Sequence, residues 1–248
     1  MSNKVVVAIV TFYPKPEGTR FCLACLTIGN ALAAGHKVVV VDGSPANIGE
    51  CFKSLGALVF PQHHRGLGSA KRQSAFHALE VAMAENLDII LMDEAEKDLS
   101  MVIPELIAPI ISGEAGVCVL GRTEEAWKSW PEFQQKSEQA ANAVFAKVTG
   151  KELDIMMGPV AFSWDFVHFF VSNDPKAAGV DDNYIQHYGT LSAIKNGVPV
   201  VGVKTDWRYP EVQRAEESTA LVGAMLAKRQ AQLDKLTHAY PILWRLGR

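Results

Sequence analysis

Carboxylates are concentrated in one short segment of this 248-residue sequence, at Asp93, Glu94, Glu96 and Asp98. Two unit charges about 4 Å apart repel by about 4 kcal/mol at an effective dielectric constant of 20, and Lys97 is the one cation among them. Hard oxygen ligands of this kind suit Mg²⁺ or Mn²⁺, which would relieve the repulsion. The cluster therefore predicts a divalent-cation site, with a solvated acidic loop that caps the next helix as the alternative.

A glycine-rich turn that carries two basic residues lies upstream of this cluster. Gly66 and Gly68 allow the backbone to approach a ligand closely, because neither has a side chain. Lys71 and Arg72 follow at the start of a predicted helix, where a phosphate would also meet free backbone N–H groups. The turn therefore predicts a phosphate site or, as the alternative, a solvated first turn of a helix.

Asp42 follows four consecutive valines and precedes Gly43, so its carboxylate leaves a predicted strand at a tight turn. A carboxylate acceptor in this place suits a ribose hydroxyl or the edge of a nucleobase. Aspartate at a strand end is also a common turn former or helix cap, so Asp42 alone decides neither role. The first predicted strand likewise ends in polar and aromatic residues, at Thr11 and Tyr13.

Strand and helix patterns alternate without interruption over the first half of the chain. The predicted strands are residues 5–11, 37–42, 58–61, 88–92 and 117–121. The predicted helices are residues 19–34, 48–55, 69–86 and 104–111. Such alternation with short connections produces right-handed βαβ units and a mostly parallel sheet, which is an α/β, Rossmann-like fold. Ligands of these sheets bind beyond the carboxyl ends of the strands, where the residues described above fall.

The pattern changes after residue 121. The next predicted segments are a polar loop at 123–130, a helix at 132–148, an extended segment at 153–163, a helix at 182–196 and a strand at 198–204. Residues 218–236 have the amphipathic spacing of a helix. Its basic side chains predict a peripheral membrane contact, a homodimer contact or a solvated face. Since no repeat or linker is evident, we predict a domain over residues 1–215 and a helical extension of the same domain over residues 216–248.

Composition excludes several classes of protein. The formal net charge of −3 gives no reason to expect a general nucleic-acid binder, whose phosphate contacts need a basic surface. No apolar run approaches the ~18 residues of a membrane span, and the N-terminus lacks a signal-peptide pattern, so we expect a cytoplasmic protein. Cys22 and Cys25 lie in an apolar helical stretch, which predicts small buried side chains rather than a redox or zinc site.

The order of these motifs resembles that of the GT-A glycosyltransferases of family 2 and their relatives. A strand ending in Thr-Phe-Tyr-Pro, the segment Val-Asp-Gly-Ser, a glycine-rich basic turn and an acidic cluster follow one another as in the nucleotide-sugar-binding half of those enzymes. Further along, Gly121, Arg122, Asn142 and Asp154 fall in an order similar to that of the polyprenyl-phosphate sugar transferases. The resemblance covers residues 5–205 and implies a GT-A-like fold with a C-terminal helical extension.

The resemblance implies transfer of a sugar from a UDP- or GDP-sugar to an unidentified acceptor, assisted by Mg²⁺ or Mn²⁺. It implies a nucleotide site formed by Thr11, Tyr13, Asp42, Gly66, Gly68, Lys71, Arg72 and Asp93. It also implies metal ligands at Asp93, Glu94, Glu96 and His187, catalytic carboxylates at Asp181 and Asp182, and acceptor contacts at Arg122, Trp127 and Gly158. The two catalytic candidates are equally consistent with a helix N-cap, and the histidine with a buried or surface side chain. The arginine is consistent with an anionic acceptor.

The sequence departs from the family pattern at one position of the acidic cluster. If Asp93 is the first carboxylate of the Asp-x-Asp motif, the third position is Ala95, which cannot ligate a metal. Either Glu94 with Glu96, or Asp93 with Glu96, would restore a pair of ligands. Metal dependence that is weakened or lost is the remaining alternative.

Two other functions fit parts of the pattern. An acidic residue after the second strand also occurs in Rossmann-type methyltransferases that use S-adenosylmethionine, although no Gly-x-Gly turn follows the first strand here. Ala95 is also consistent with a catalytically degenerate protein that binds nucleotide sugars without turnover. Thermal stabilisation by S-adenosylmethionine or by nucleotide sugars would separate the first alternative from the other two hypotheses.

Overall fold

A seven-stranded sheet forms the centre of the computed structural model, which describes residues 4–219 and 222–246. Its strands are β1 (Val6–Thr11), β2 (Lys37–Asp42), β3 (Leu58–Pro61), β4 (Ile89–Met92), β5 (Val117–Arg122), β6 (Val160–Ser163) and β7 (Val200–Thr205). Their order across the sheet is β3-β2-β1-β4-β6-β5-β7. β6 runs antiparallel to β4 and β5, whereas the other four pairings are parallel. The mostly parallel sheet expected from the sequence is thereby confirmed.

Helices connect the strands and cover both faces of the sheet, which confirms the α/β class. They are α1 (Thr19–Ala33), α2 (Ala46–Leu55), α3 (Leu67–Glu85), α4 (Ile103–Ile111), α5 (Glu124–Lys128), α6 (Glu132–Thr149), α7 (His168–Val171), α8 (Ile185–Lys195), α9 (Glu211–Thr219) and α10 (Val222–Leu246). Short 3-10 helices span Ile155–Met157, Trp164–Phe166 and Pro175–Ala178.

The central strands are buried on both faces, which explains their continuous apolar sequences. Val6 and Ala8 of β1 belong to the core layer formed with α3, α6, α8 and α10. Val7 and Ile9 belong to the opposite layer, formed with α1, α2 and α4. Because side chains alternate along a strand, a run without polar residues is needed to supply both layers. The two layers hold the carboxyl ends of β1, β2 and β4 in a fixed relation at one edge of the sheet.

The predicted bounds of the first nine elements agree with the structure to within two residues. Apolar residues at strand and helix spacing identify these elements, and glycines follow the ends of α1, α2 and α4, whereas Asn86 in the left-handed conformation ends α3. Gly56, for example, adopts a φ of 105° directly after α2, a backbone conformation that favours glycine because it has no Cβ.

The polar segment 123–130 contains a short helix, so the loop prediction for it is wrong. The Thr123 hydroxyl oxygen accepts a hydrogen bond from the Ala126 N–H (3.1 Å), which caps the start of α5. Glu124 and Glu125 lie in the first turn, where the helix dipole favours negative charge. Capping and charge therefore outweigh the absence of an apolar stripe.

Two further segments of the second half differ from the prediction. The extended segment 153–163 contains a 3-10 helix, and only its last part pairs with the sheet as β6. The helix predicted over 182–196 begins at Ile185 instead. Asp181 accepts a hydrogen bond from the Asn183 N–H (2.8 Å), which holds the preceding residues in a turn.

The C-terminal helical region is longer than predicted. The described helical residues here are those of α9 (Glu211–Thr219) and α10 (Val222–Leu246), which start before and end well beyond the helix predicted at 218–236. The reason is that the apolar stripe continues: Leu236, Ala239 and Tyr240 are buried against the core layer of α6 and α8. Residues 220 and 221, inside the predicted helix, lie outside the described residues.

The sequence predicts that Cys22 and Cys25 are buried. Cys22 is exposed and Cys25 is partly buried, and both are free thiols, so the prediction of a buried side chain is wrong for Cys22. Cys22 lies on the solvent-facing side of α1.

Among the helices within residues 4–219 and 222–246, none combines the length and apolarity needed to cross a membrane.

Candidate functional site

Two cavities open at the carboxyl edge of the sheet and share Leu67 at the start of α3. The outer cavity has a volume of about 750 Å³ and is lined by the end of β1, by Gly43 after β2 and by residues 62–66 after β3. The inner cavity has a volume of about 310 Å³ and is lined by parts of α3, α6, α8 and α10 and by the acidic segment after β4. The position of both cavities is the ligand-binding edge expected for a parallel sheet.

The outer cavity contains two of the predicted nucleotide-binding residues, Thr11 and Gly66. The Gln62 amide holds the adjoining loop in place by donating to the backbone oxygens of His64 (2.6 Å) and Gly66 (3.2 Å). Phe12 lines the same cavity with 72% of its surface exposed. The outer cavity therefore combines an accessible aromatic ring with polar groups.

Asp42 joins the ends of β1 and β2 at the rim of the outer cavity. Its Oδ1 accepts hydrogen bonds from the Thr11 hydroxyl (2.8 Å) and from the Ser44 hydroxyl (2.5 Å) and N–H (3.1 Å). The Ser44 hydroxyl oxygen in turn accepts from the Tyr13 N–H (2.8 Å). The structure thus brings three predicted nucleotide-binding residues, Thr11, Tyr13 and Asp42, into one hydrogen-bonded group.

The glycine-rich turn positions the start of α3. Gly66 adopts a φ of 110° immediately before the helix. A Cβ on Gly68 would lie 2.1 Å from the backbone oxygen of Asp182, so the contact between these two segments requires glycine. The contact places Lys71 in the wall of the inner cavity and Arg72 in an ion pair with Asp182.

Lys71 is a buried cation whose hydrogen-bond partners are neutral. Its ammonium donates to Gln186 Oε1 (2.7 Å) and to the Asn183 backbone oxygen (3.4 Å). In the part of the chain that the structure describes, no carboxylate forms an ion pair with it. Burial lowers the pKa of Lys71 to about 8, although Glu94 acts in the opposite direction. Lys71 therefore contributes positive charge to the inner cavity.

Three carboxylate side chains of the acidic segment lie in three different environments. Asp93 accepts a hydrogen bond from the Glu94 N–H (2.7 Å), and burial raises the pKa of Asp93 well above its usual value. Glu94 pairs with the Lys97 ammonium (2.9 Å), and although burial raises the pKa of Glu94, this cation helps to bring it below the usual value. Glu96 accepts a hydrogen bond from the Tyr13 hydroxyl (2.8 Å). Three neighbours in sequence therefore have three different sets of partners.

His187 and Gly158 line the inner cavity together with Glu94. His187 Nδ1 lies 2.8 Å from the Tyr240 hydroxyl of α10. Burial and the charge of Lys71 lower the pKa of His187 to about 3, so its imidazole is neutral at pH 7. Gly158 has a φ of 103°, and a Cβ there would lie 2.4 Å from Glu94 Oε1, so this position requires glycine.

The predicted metal ligands lie in one region without forming a cluster. Within residues 4–219 and 222–246, no group of three or more His, Cys, Asp or Glu side chains is placed to hold a metal ion. Glu94, Glu96 and His187 are each bonded to another side chain of the protein. The assignment of Mg²⁺ or Mn²⁺ to these residues stays a prediction.

Asp181 and Asp182, the predicted catalytic carboxylates, both form ion pairs. Asp182 pairs with Arg72 (2.7 Å) and Lys176 (2.9 Å), and Asp181 pairs with Lys235 (2.9 Å). Burial raises the pKa of Asp182, but hydrogen bonds from Lys176 and Arg72 outweigh burial and bring it below its usual value. Neither aspartate is among the residues that line the two cavities in the described chain. Their catalytic role stays a prediction.

Arg122 and Trp127 line a third cavity of about 500 Å³, apart from Gly158. The Arg122 guanidinium donates to Asp154 through Nε and Nη2 (2.7 Å each) and to Glu138 through Nη1 (2.6 Å). Its Cζ lies 3.4 Å from the centroid of the Trp127 ring. Burial lowers the pKa of Arg122, but the two carboxylates outweigh burial and raise it. The structure therefore does not bring the three predicted acceptor residues together.

Several residues of the inner cavity were not predicted from the sequence. They include Gln134 and Glu138 of α6, Gln186 of α8 and Arg229 of α10. In the described chain, Trp130 Nε1, Gln134 Oε1 and Arg229 Nε are buried without a hydrogen-bond partner. The four-residue spacing of Gln134 and Glu138 places both on one helix face, but a solvated face has the same spacing.

No protein-family model and no curated protein matches the sequence. Solved structures do match its fold. Glucosyl-3-phosphoglycerate synthase from Mycobacterium tuberculosis is 14% identical with a TM-score of 0.53, over 83% of this chain and 72% of that chain. A structure described as a mycobacterial protein is 12% identical with a TM-score of 0.55, over 81% of this chain and 65% of that chain.

A further structure of the same synthase is a complex with Mn²⁺, UDP and phosphoglyceric acid. It is 13% identical to this chain with a TM-score of 0.51, over 91% of this chain and 78% of that chain. At these identities the likeness establishes the fold.

Proposed function

We propose that this chain, which has the GT-A-like fold expected from its sequence, transfers a sugar from a UDP- or GDP-sugar to an acceptor. The observation that carries the proposal is the pair of adjoining cavities at the carboxyl edge of the sheet. The outer cavity has the volume for a nucleoside, and the inner cavity contains a buried lysine suited to phosphate. A nucleotide-diphosphate sugar has these two parts in the same order.

In this proposal the nucleoside of the donor occupies the outer cavity. The exposed ring of Phe12 provides a surface for the flat base, and Thr11 and Gly66 provide polar contacts. Asp42, which is buried and lies outside the cavity lining, holds the Thr11 hydroxyl at the rim through Oδ1. The diphosphate then extends past Leu67 towards Lys71.

The side chains predicted to bind Mg²⁺ or Mn²⁺ do not fit a divalent cation in their present arrangement. Ala95 offers no ligand atom at the third position of the motif, and Glu94 is already neutralised by the Lys97 ammonium. A divalent cation at Glu94 would also be repelled by that ammonium. We therefore assign no step to a metal, and dependence on Mg²⁺ or Mn²⁺ is the competing hypothesis.

An anionic acceptor suits the catalytic groups of this chain. A neutral hydroxyl acceptor needs a base in direct inversion, and the low pKa of the ion-paired Asp182 makes it a weak proton acceptor. An acceptor phosphate is already an anion and removes that need. Arg229, which pairs with Glu138 at 3.3 Å, adds a cationic side chain to the lining of the inner cavity.

Calorimetric titration with UDP, GDP and their sugars tests the proposal. We expect one of the two nucleotides to bind saturably, and Lys71→Met to weaken its binding by about tenfold or more because a charge-assisted hydrogen bond is lost. Lys136→Met is the matched control, since Lys136 is an exposed lysine of α6. Failure of every UDP and GDP compound to bind would contradict the proposal, and stabilisation by S-adenosylmethionine instead would favour a methyltransferase.

Release of UDP or GDP in the presence of acceptor measures the transfer itself. We expect release to require both donor and acceptor and to fall in the Lys71→Met variant. Donor binding without release against any acceptor would support the alternative of a nucleotide-sugar-binding protein without turnover.

A further inference from the structure

Within the described residues, Lys71 and Lys97 each have one N–H donor without a hydrogen-bond partner. An ammonium group has three N–H donors. Lys71 uses two of them on Gln186 and Asn183, and Lys97 uses two of them on Glu94 and the Met157 backbone oxygen. Both side chains line the cavity, and the Lys97 ammonium lies 5.5 Å from the centroid of the Trp130 ring.

The charge of these groups favours an anion. Lys71 is buried and has only neutral hydrogen-bond partners in the described chain, and Glu94 balances one of the two ammonium charges. His187 is neutral and adds no charge. Buried cations are normally paired with an anion, because transfer of an unpaired charge out of water is costly. The side chains that line the cavity include four cations (Arg20, Lys71, Lys97 and Arg229) and three carboxylates (Glu94, Glu96 and Glu138), so one positive charge is left for a bound anion to neutralise.

Two side chains of the cavity lining carry buried donors. Trp130 and Arg229 line the inner cavity, and Trp130 Nε1 and Arg229 Nε are buried and have no hydrogen-bond partner among the described residues. Buried donors without a partner are uncommon in folded proteins.

We propose that Lys71 and Lys97 together take the place of a divalent cation, binding the diphosphate of the donor and stabilising the nucleoside diphosphate that leaves. This inference rests on the proposed function. In the transfer, the bond between sugar C1 and the β-phosphate oxygen breaks and its electron pair stays on that oxygen. An oxygen of the anionic acceptor forms the new bond to C1. The two ammonium groups bind the charge that develops on the diphosphate, so no metal ion is needed.

Full-length protein treated with EDTA tests this inference. We expect UDP or GDP to bind with the same Kd in EDTA as in excess MnCl₂, to within about twofold. Lys71→Met and Lys97→Met should each weaken diphosphate binding by about tenfold to a hundredfold, while binding of uridine or guanosine changes little. Lys97→Arg keeps the charge and should restore most of the affinity, and Lys136→Met should bind like the wild type.

The outcomes separate this inference from the proposed function. If EDTA abolishes nucleotide binding and Mn²⁺ restores it, or if either lysine-to-methionine variant binds the diphosphate as tightly as the wild type, the inference is overturned and the proposed function stands. If the wild type binds neither UDP nor GDP under either condition, the proposed function fails and the inference with it. The EDTA comparison uses the wild type alone, so it does not depend on how well a variant folds.

Discussion

Asp93, Glu94 and Glu96 are neighbours in sequence, but in the folded chain each has a different environment and a different partner. Asp93 is buried beside a backbone N–H, Glu94 faces an ammonium in the inner cavity, and Glu96 accepts from a tyrosine hydroxyl. The pKa of Asp93 is raised because burial disfavours its charge, whereas that of Glu94 is lowered because nearby cations outweigh burial. Counting carboxylates in the sequence therefore overstates the negative charge that this segment offers to a metal ion.

Asp182 should contribute to stability in a pH-dependent way. Although burial raises its pKa, Lys176 and Arg72 bring it below 3.8. An acid with a depressed pKa in the folded state contributes stability above its unfolded-state pKa, and loses this contribution as the pH falls through its folded-state pKa. We expect Asp182→Asn to lower the free energy of unfolding by about 1–3 kcal/mol at pH 7 and by much less at about pH 2, measured by urea unfolding.

Asp206→Asn is the control for this measurement. Asp206 pairs with Arg208 at 3.1 Å, and both side chains are more than half exposed. Loss of such a surface pair should change the free energy of unfolding by less than about 1 kcal/mol at either pH. A difference between wild type and Asp182→Asn that stays constant with pH would show that the Asp182 ion pairs do not stabilise the fold.

The start of α3 depends on direct contact between two backbone segments. Gly68 packs against the backbone oxygen of Asp182, which lies far along the chain in the turn before α8. This contact places successive residues of α3, Lys71 and Arg72, on the inner cavity and on Asp182 respectively. The sequence suggested that Gly68 allows close approach of the backbone to a ligand. The structure shows that Gly68 is also needed for the contact between α3 and the turn before α8.

Gly68→Ala should destabilise the protein. Its Cβ would lie 2.1 Å from a backbone oxygen, so α3 or the turn must shift. Overpacking of this kind costs about 1–3 kcal/mol of unfolding free energy. Gly29→Ala is the control, because nothing lies within 4 Å of its Cβ position in α1. That change should be neutral or stabilise by up to about 1 kcal/mol. Equal free energies of urea unfolding for the two variants would refute the argument.

The sequence predicts the extended conformation of β6 but not the strands with which it pairs. Its antiparallel position between β4 and β5 joins residues that are distant along the chain, such as Ile90 and Phe162. The sequence predicts an extended conformation from local residue types. The choice of partner strand depends on contacts with β4 and β5, which are distant along the chain.

α10 completes the molecule by covering α6 and α8. Leu236, Ala239 and Tyr240 are buried in the core layer on that side of the sheet. Polar contacts also bind α10 to these helices. The Tyr240 hydroxyl lies 2.8 Å from His187 Nδ1 of α8, and Arg229 pairs with Glu138 of α6 at 3.3 Å. The C-terminal helix therefore forms part of the inner cavity wall. A membrane or homodimer contact through this helix stays a prediction and would have to use its outer face.

Leu236→Ala measures how much α10 contributes to the stability of the whole chain. Leu236 is fully buried, so truncation should lower the free energy of unfolding by about 2–5 kcal/mol through lost apolar contact and a new cavity. Leu226→Ala is the same change at a position of α10 that is 49% exposed, and should cost less than about 0.5 kcal/mol. Urea unfolding gives both values. A similar small effect of the two changes would mean that α10 is not part of the cooperative core.

Local patterns were sufficient to predict the first nine elements, the parallel sheet and the edge at which Thr11, Asp42 and Lys71 would lie. Apolar spacing follows directly from the periods of strand and helix, and short crossovers lead to parallel strands. Residue type and strand order together therefore placed these side chains at one edge of the sheet before any contact was known.

The partners of those side chains required the folded chain. Lys71 meets Gln186, which is 115 residues away, and Glu96 meets Tyr13, which is 83 residues away. Burial, ion pairs and pKa values depend on such distant neighbours, and a glutamine in a cavity wall has the same local pattern as one on the surface. The Glu94–Lys97 ion pair is local, because the two residues are three apart, whereas the partner of Glu96 and the burial of Asp93 and Lys71 depend on packing between elements that are distant in sequence.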